Sequence, residues 1–202
     1  MKIESCPQEQ YALLRAALKE VQQGDLRAKD DKSAPGYVWP RRDRAIIVLM
    51  LNSGLRLSEI TALDVDDLAI RPRSGEVMVR MGKGRKTRTV RLNRDARAAL
   101  QEWLDVRPAG DAKALFISQK GKGRLTARAI ARRVEEIGAQ AGLNITPHQL
   151  RHSLAKNMVD EGVSLDQVRM ALGHESMDTT KRYTMPSESD MQTAMERVAW
   201  RD

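Results

Sequence analysis

Apolar positions first recur at helical spacing in residues 7–22, where Tyr11, Leu14, Leu18 and Val21 form one stripe. Residues 24–40 break that rhythm. Charges of both signs mix with Gly24, Ser33, Pro35, Gly36 and Pro40, so the expectation is a long exposed loop. From Asp43 the run DRAIIVLMLNSG reads as a strongly apolar helix stopped by Gly54. Ser58 opens a short helix over SEITAL. The period then changes to two: Val77, Val79 and Met81 alternate with Glu76, Met78 and Arg80. The turn GKGRK follows, and Val90 and Leu92 share one face of the next run, which together predict a hairpin. Residues 65–70 offer a third strand.

Helical patterns return after the hairpin. Asn93 caps a helix carrying Ala96, Leu100, Trp103 and Leu104. Residues 115–118 are a short apolar run. Thr126 starts a helix that runs to about Ala141 and is closed by Gly142. Thr146-Pro147 supplies a cap and a first-turn proline for a helix through Glu161. Ser164 with Gln167 forms a capping-box pattern. Ser176 caps a short helix through Tyr183, and Ser187 starts a last one ending near Trp200. The pattern predicts one mainly helical domain with a small antiparallel sheet, an α+β fold, over residues 1–202.

Composition narrows the function classes. The longest apolar run, residues 45–51, has seven residues, far short of a membrane-spanning helix. The start, MKIESCPQEQ, has no hydrophobic signal segment, so the expectation is a cytoplasmic protein with no membrane partner. Cys6 is alone, which excludes a disulfide framework and a multi-cysteine zinc site. The 35 Lys and Arg against 27 Asp and Glu leave a net +8, suited to a polyanion. Aromatic residues are only 3%, which argues against base-stacking recognition of single strands.

The excess charge is concentrated. Residues 80–91 carry Arg80, Lys83, Arg85, Lys86, Arg88 and Arg91 without an acid. Residues 113–133 carry Lys113, Lys120, Lys122, Arg124, Arg128, Arg132 and Arg133, also without one. Either run alone fits a solvated face; the pair favours a surface that tracks phosphates. Arg80, Arg85, Lys86, Arg88, Lys120, Lys122, Arg124, Arg128 and Arg132 are therefore the candidate DNA-backbone contacts.

Candidate chemistry sits in separated blocks. In TPHQLRHSLA, a helix starting at Pro147 puts His148, Arg151 and His152 at i, i+3 and i+4 near its N-terminus, an anion-binding arrangement. His148 and His152 have metal-ligand spacing, but Gln149 stands where HExxH has Glu. A helix-capping histidine pair is the structural alternative. His174 falls in the turn of LGHES, and Tyr183 follows in TTKRYTM; either alone reads as packing. Arg56, in NSGLRLSEI, leaves a buried helix. A buried arginine needs an anion; Glu59, one turn on, is the nearby candidate, either as that partner or as the group that orients Arg56 toward a phosphate. Lys83 lies between two glycines at the hairpin tip, where an ordinary exposed lysine is the competing reading.

The ordered series GLRLSEI, GKGRKTRTVRL, HQLRHSLA, LGHES and Tyr183 resembles the catalytic domain of tyrosine recombinases, the phage-integrase and Xer-type enzymes. The resemblance runs from about residue 7 to at least 185. It implies that Tyr183 attacks a phosphodiester of double-stranded DNA, forming a 3′-phosphotyrosyl link and releasing a 5′-hydroxyl without metal or ATP. Arg56 and Arg151 would bind the non-bridging oxygens, His174 would add a hydrogen bond, and Lys83 would protonate the leaving oxygen. His148 would manage the Tyr183 proton, with Glu59 and His152 in support. The family's tail implies that residues 187–202 dock on a neighbouring protomer in a tetramer on paired DNA sites, although a lid on the same domain fits equally and a monomer in solution remains open. Family members usually carry an N-terminal DNA-clamping domain. This chain reaches the catalytic part almost at Met1, so the expectation is that the clamp is absent. A type IB-like topoisomerase and a non-catalytic DNA-binding domain are the alternatives. A metal-dependent nuclease would need acids that the sequence does not arrange.

Overall fold

The computed structural model describes residues 7–80, 87–109, 113–120 and 123–173. Among the expected site residues, Lys83, Arg85, Lys86, Lys122, His174 and Tyr183 lie outside these, as does the segment 187–202. Among the described residues there are seven α-helices and one three-stranded sheet. The mainly helical α+β architecture is the one expected.

Helix α1 spans Pro7–Ala28 and α2 spans Pro35–Ser53, so the loop expected over residues 24–40 shrinks to residues 29–34. The residues that read as loop punctuation serve the crossing of these two helices. Pro35 sits in the first turn of α2, where a missing N–H costs nothing. Pro40, inside α2, has no N–H to donate to the Gly36 carbonyl four residues earlier. That carbonyl oxygen lies against Gly24 of α1, where any Cβ would collide with it. The buried stripe of α1 also differs from the expected one. Leu13, Ala17 and Val21 face inward, while Tyr11 and Leu18 are exposed. Gly24 lets α1 approach α2 closely at this crossing.

Helix α2 is buried continuously from Ala45 to Leu51 and packs against α1, α4, α5 and α6. It carries buried charge as well. Asp43 accepts hydrogen bonds from Arg42 Nε and Nη2 at 2.8 and 2.6 Å, and from Arg133 Nε at 2.7 Å. Arg133 also binds Glu20 of α1 at 2.7 Å. This cross-link uses an arginine from the second basic stretch for internal structure.

Gly54, at φ 60°, ends α2 as expected. Helix α3 (Leu57–Ala62) follows, then a 3-10 turn, Val65–Asp67, and strand β1 (Leu68–Ile70). The third strand thus occupies only the second half of residues 65–70. Strands β2 (Gly75–Val79) and β3 (Arg88–Arg91) complete an antiparallel sheet in the order β1-β2-β3, with Val77 opposite Val90 and Val79 opposite Arg88. The expected alternation holds in β2: Val77 and Val79 are buried while Met78 is exposed.

Helix α4 (Arg94–Val106) begins at Asn93, whose side chain accepts the Ala96 N–H at 2.9 Å. It buries Trp103, whose Nε1 donates to the Leu115 carbonyl at 2.9 Å. The apolar run at 115–118 is a buried connection, and Leu115 N–H donates to the Leu63 carbonyl at 2.9 Å. Helices α5 (Ala127–Gln140), α6 (Pro147–Asp160) and α7 (Leu165–Leu172) start at Thr126, Thr146 and Ser164 as the sequence indicates.

Candidate active site

Four chain segments meet where α2 ends. Gly54 turns the chain, Leu55 enters the core, and Arg56 becomes the N-cap of α3. Opposite lie the inner face of α6, bearing Arg151, and the C-terminus of α7, where Gly173 adopts φ 64°. Leu172 packs directly over Gly54.

Arg151 is buried, with 6% exposure, and donates from Nη1 to the Gly54 carbonyl and from Nη2 to the Leu172 carbonyl at 2.7 Å. Arg56 donates from Nη2 to the Gly173 carbonyl at 3.2 Å. The two guanidinium groups therefore converge on consecutive carbonyls at a helix C-terminus, where the backbone dipole favours cations. His174 follows Gly173 directly in the chain. The burial expected for Arg56 is not observed. Leu55 fills the core position, so the Arg56 side chain is 43% exposed, and Arg151 is the buried cation.

Glu59, in the first turn of α3, organises this corner. Its Oε2 accepts the Arg56 backbone N–H at 2.7 Å, and its Oε1 lies 3.2 Å from Arg56 Nη1. Arg88 of β3 grips both carboxylate oxygens, Nη1 to Oε1 at 2.6 Å and Nη2 to Oε2 at 2.9 Å. Burial pushes the Glu59 carboxyl up. The Arg88 hydrogen bonds, the Arg56 N–H and both positive charges outweigh it and hold the group below its ordinary pKa. Arg88 was expected among the DNA-backbone contacts. Here its side chain turns inward and its two terminal nitrogens are taken up by Glu59. The alternation that points Val90 and Leu92 inward points Arg88 the same way, a signal legible in the sequence.

His148 and His152 stack edge to face on α6, with their Nε2 atoms 2.6 Å apart. At that distance one ring donates its N–H and the other accepts. His148 is exposed and His152 half-buried, so the face shared with Arg151 straddles the boundary between surface and core.

The other expected backbone contacts divide into two groups. Arg80 reaches Asp64 at 2.7 Å and Asp67 at 2.5 Å, and Arg124 reaches Asp64 at 2.5 Å. Hydrogen bonds from Arg124 and then Arg80 hold the Asp64 carboxyl below its ordinary pKa. The acid-free basic stretches thus meet acids from residues 59–67. Lys120 and Arg128 are exposed, and Arg132 is exposed while paired with Glu136 along α5 at 2.8 Å.

Known proteins are similar to this one over most of the chain. The phage integrase family model matches residues 29–190. Tyrosine recombinase XerC of Haemophilus influenzae (strain PittEE) is 46% identical over 147 residues, covering 71% of this chain and 48% of that protein. XerC of Pseudomonas fluorescens is 46% identical over 149 residues, with the same coverage of 71% and 48%. The chain spans about half the length of these curated relatives. Among solved structures, XerA recombinase superposes with a TM-score of 0.77 at 25% identity, covering 100% of this chain and 67% of that one. XerH site-specific recombinase bound to its difH substrate, in a pre-cleavage complex, gives 0.74 at 26% identity, with 96% and 54% covered. Motif order, the corner built by α2, α3, α6 and α7, and a family match over residues 29–190 lead to one conclusion: this chain belongs to the phage integrase family.

Proposed function

We propose that the chain is the catalytic part of a site-specific recombinase that cuts and rejoins double-stranded DNA through a phosphotyrosyl intermediate. The observation that carries this reading is the convergence of Arg56 and Arg151 beside the α7 C-terminus, immediately ahead of His174. In the proposed reaction the Tyr183 oxygen attacks the scissile phosphorus and its proton passes to His148, whose imidazole nitrogen serves as the general base. The bond from phosphorus to the 5′-oxygen breaks, and Lys83 supplies that oxygen with a proton. Arg56 and Arg151 stabilise charge on the non-bridging oxygens, since guanidinium matches phosphate in geometry and stays ionised. His174 adds a further hydrogen bond. The phosphotyrosyl ester then receives a 5′-hydroxyl from another strand, so rejoining needs no outside energy source.

Glu59 supports Arg56, and His152 supports His148 through the Nε2 contact. Lys120, Arg128 and Arg132 present positive charge for neighbouring phosphates. Residues 187–202 serve as the docking element between protomers of a tetramer on paired DNA sites.

A nicked duplex that traps the covalent product tests the reading. Wild-type protein is expected to become attached to DNA in buffer containing a metal chelator, and Tyr183→Phe is expected to abolish the adduct. An adduct that persists in Tyr183→Phe, or that requires a divalent metal, overturns the mechanism.

A further inference from the structure

Arg88 stands outside the proposed chemistry, yet its contacts are those of a residue with one narrow task. Its side chain is 15% exposed and Glu59 is 12% exposed, so the pair is largely desolvated. Both contacts are short and parallel, the fork-on-fork geometry that gives an arginine–carboxylate pair its directionality. The flat side of the guanidinium lies against Gly173. A Cβ there would come within 2.8 Å of Arg88 Cζ and 2.9 Å of Nε. Among the described residues the buried Nε atom has no hydrogen-bond partner. The side chain meets Glu59 and Gly173 in this orientation at the expense of that donor.

The consequence falls on Arg56. Glu59 has two oxygens and two arginine claimants. Arg88 takes both at 2.6 and 2.9 Å, while the Arg56 side chain keeps one longer contact at 3.2 Å. Arg56 is held mainly through its backbone N–H, at 2.7 Å from Glu59, and its guanidinium stays 43% exposed. Without Arg88, a mostly buried carboxylate would face Arg56 alone. The favourable outcome for such a carboxylate is to draw that guanidinium into its own two-pronged pair.

We propose that Arg88 is a positioning residue, which saturates Glu59 so that Arg56 stays available to the scissile phosphate and which seats Gly173 just ahead of His174. This role rests on the phosphate-binding reading of Arg56 given above. It also explains why an arginine in a basic stretch points inward.

The test is adduct formation on the nicked duplex by wild type, Arg88→Met, Arg88→Lys, Glu59→Gln and the double variant Arg88→Met/Glu59→Gln, with thermal unfolding recorded for each. Arg88→Met is expected to slow adduct formation by on the order of tenfold, as for other tightly coupled contacts. Arg88→Lys, which keeps charge without the fork, is expected to fall between. The decisive result is the double variant. Neutralising Glu59 removes the competitor for Arg56, so the double variant is expected to react severalfold faster than Arg88→Met alone. A purely structural ion pair would recover in melting temperature as well, so rates are compared well below every variant's unfolding midpoint, where a merely structural pair leaves them unchanged. If Arg88→Met is too unstable to assay, the comparison passes to Arg88→Lys with and without Glu59→Gln, where recovery is again required. Wild-type rates in Arg88→Met, or no recovery in the double variant, overturn the positioning role alone. A wild-type chain that forms no adduct overturns the underlying reading and this role with it.

Discussion

Replacing Gly54 with alanine perturbs the corner where α2 ends, and its cost divides into two separable parts. The backbone there has φ 60° and ψ 21°, a left-handed conformation that costs an L-residue about 1–2 kcal/mol. The added methyl would also sit 2.5 Å from Leu172 Cδ2 and 3.1 Å from Leu154 Cδ2. Leu172 is fully buried, so its retreat is resisted by the Ala155–Val168 cluster around it. Overpacking of this kind costs about 1–3 kcal/mol. The sum is about 2–5 kcal/mol, out of a total stability of roughly 5–15 kcal/mol for an ordinary domain. Gly142 provides the internal control. Its φ is 74°, but nothing among the described residues lies within 4 Å of its would-be Cβ, so Gly142→Ala should show the conformational part alone, about 1–2 kcal/mol. Urea denaturation followed by circular dichroism measures both. Equal losses in the two variants would refute the packing argument, because they would mean that Leu172 yields at no cost. The substitution should also slow adduct formation, since Arg151 is anchored on the Gly54 and Leu172 carbonyls that it pushes apart.

Two further predictions concern charge. Asp43→Asn leaves the buried Arg42 and the half-buried Arg133 without their shared anion and should cost about 3–5 kcal/mol in urea denaturation; a loss below about 1 kcal/mol would show that water already screens the pair. Glu59 and Asp64 both have folded pKa values below their ordinary ones, so they stabilise the fold above the ordinary carboxylate range, and this contribution is lost as pH falls through their lowered values. Melting temperature should therefore drop at acid pH, and drop less in Glu59→Gln; an unchanged acid slope in that variant would contradict the assignment.

Much of the fold was legible because local signals and tertiary packing agree. Asn93, Thr126, Thr146 and Ser164 start helices because a side-chain cap is a short-range device, readable from a few residues. The α1–α2 crossing was illegible for the opposite reason. Gly24, Gly36 and Pro40 act between helices, and a one-dimensional pattern cannot distinguish a glycine that bends a loop from one that lets two backbones meet. The candidate site divides in the same way. The convergence of Arg56 and Arg151 followed from motif order, but the burial of Arg151 in place of Arg56 depended on Leu55 claiming the core. The inward turn of Arg88 was present in the strand alternation and was masked by the basic run around it.

The acids of residues 59–67 give the arginines a built-in set of counter-ions. Glu59, Asp64 and Asp67 already neutralise Arg88, Arg80 and Arg124 in the free protein. Under the proposed DNA binding, a phosphate approaching Arg80 or Arg124 competes with a carboxylate as well as displacing water. The free energy gained is the difference between two anions competing for one cation. Fewer ions are released in such an exchange than the arginine count suggests, so the salt dependence of DNA association should be shallower than the formal charge implies. Random duplex gains little from that exchange. A site that holds its phosphates in register with several arginines at once gains at every one of them, so in the proposed role the internal ion-pair network would act as a filter for fit.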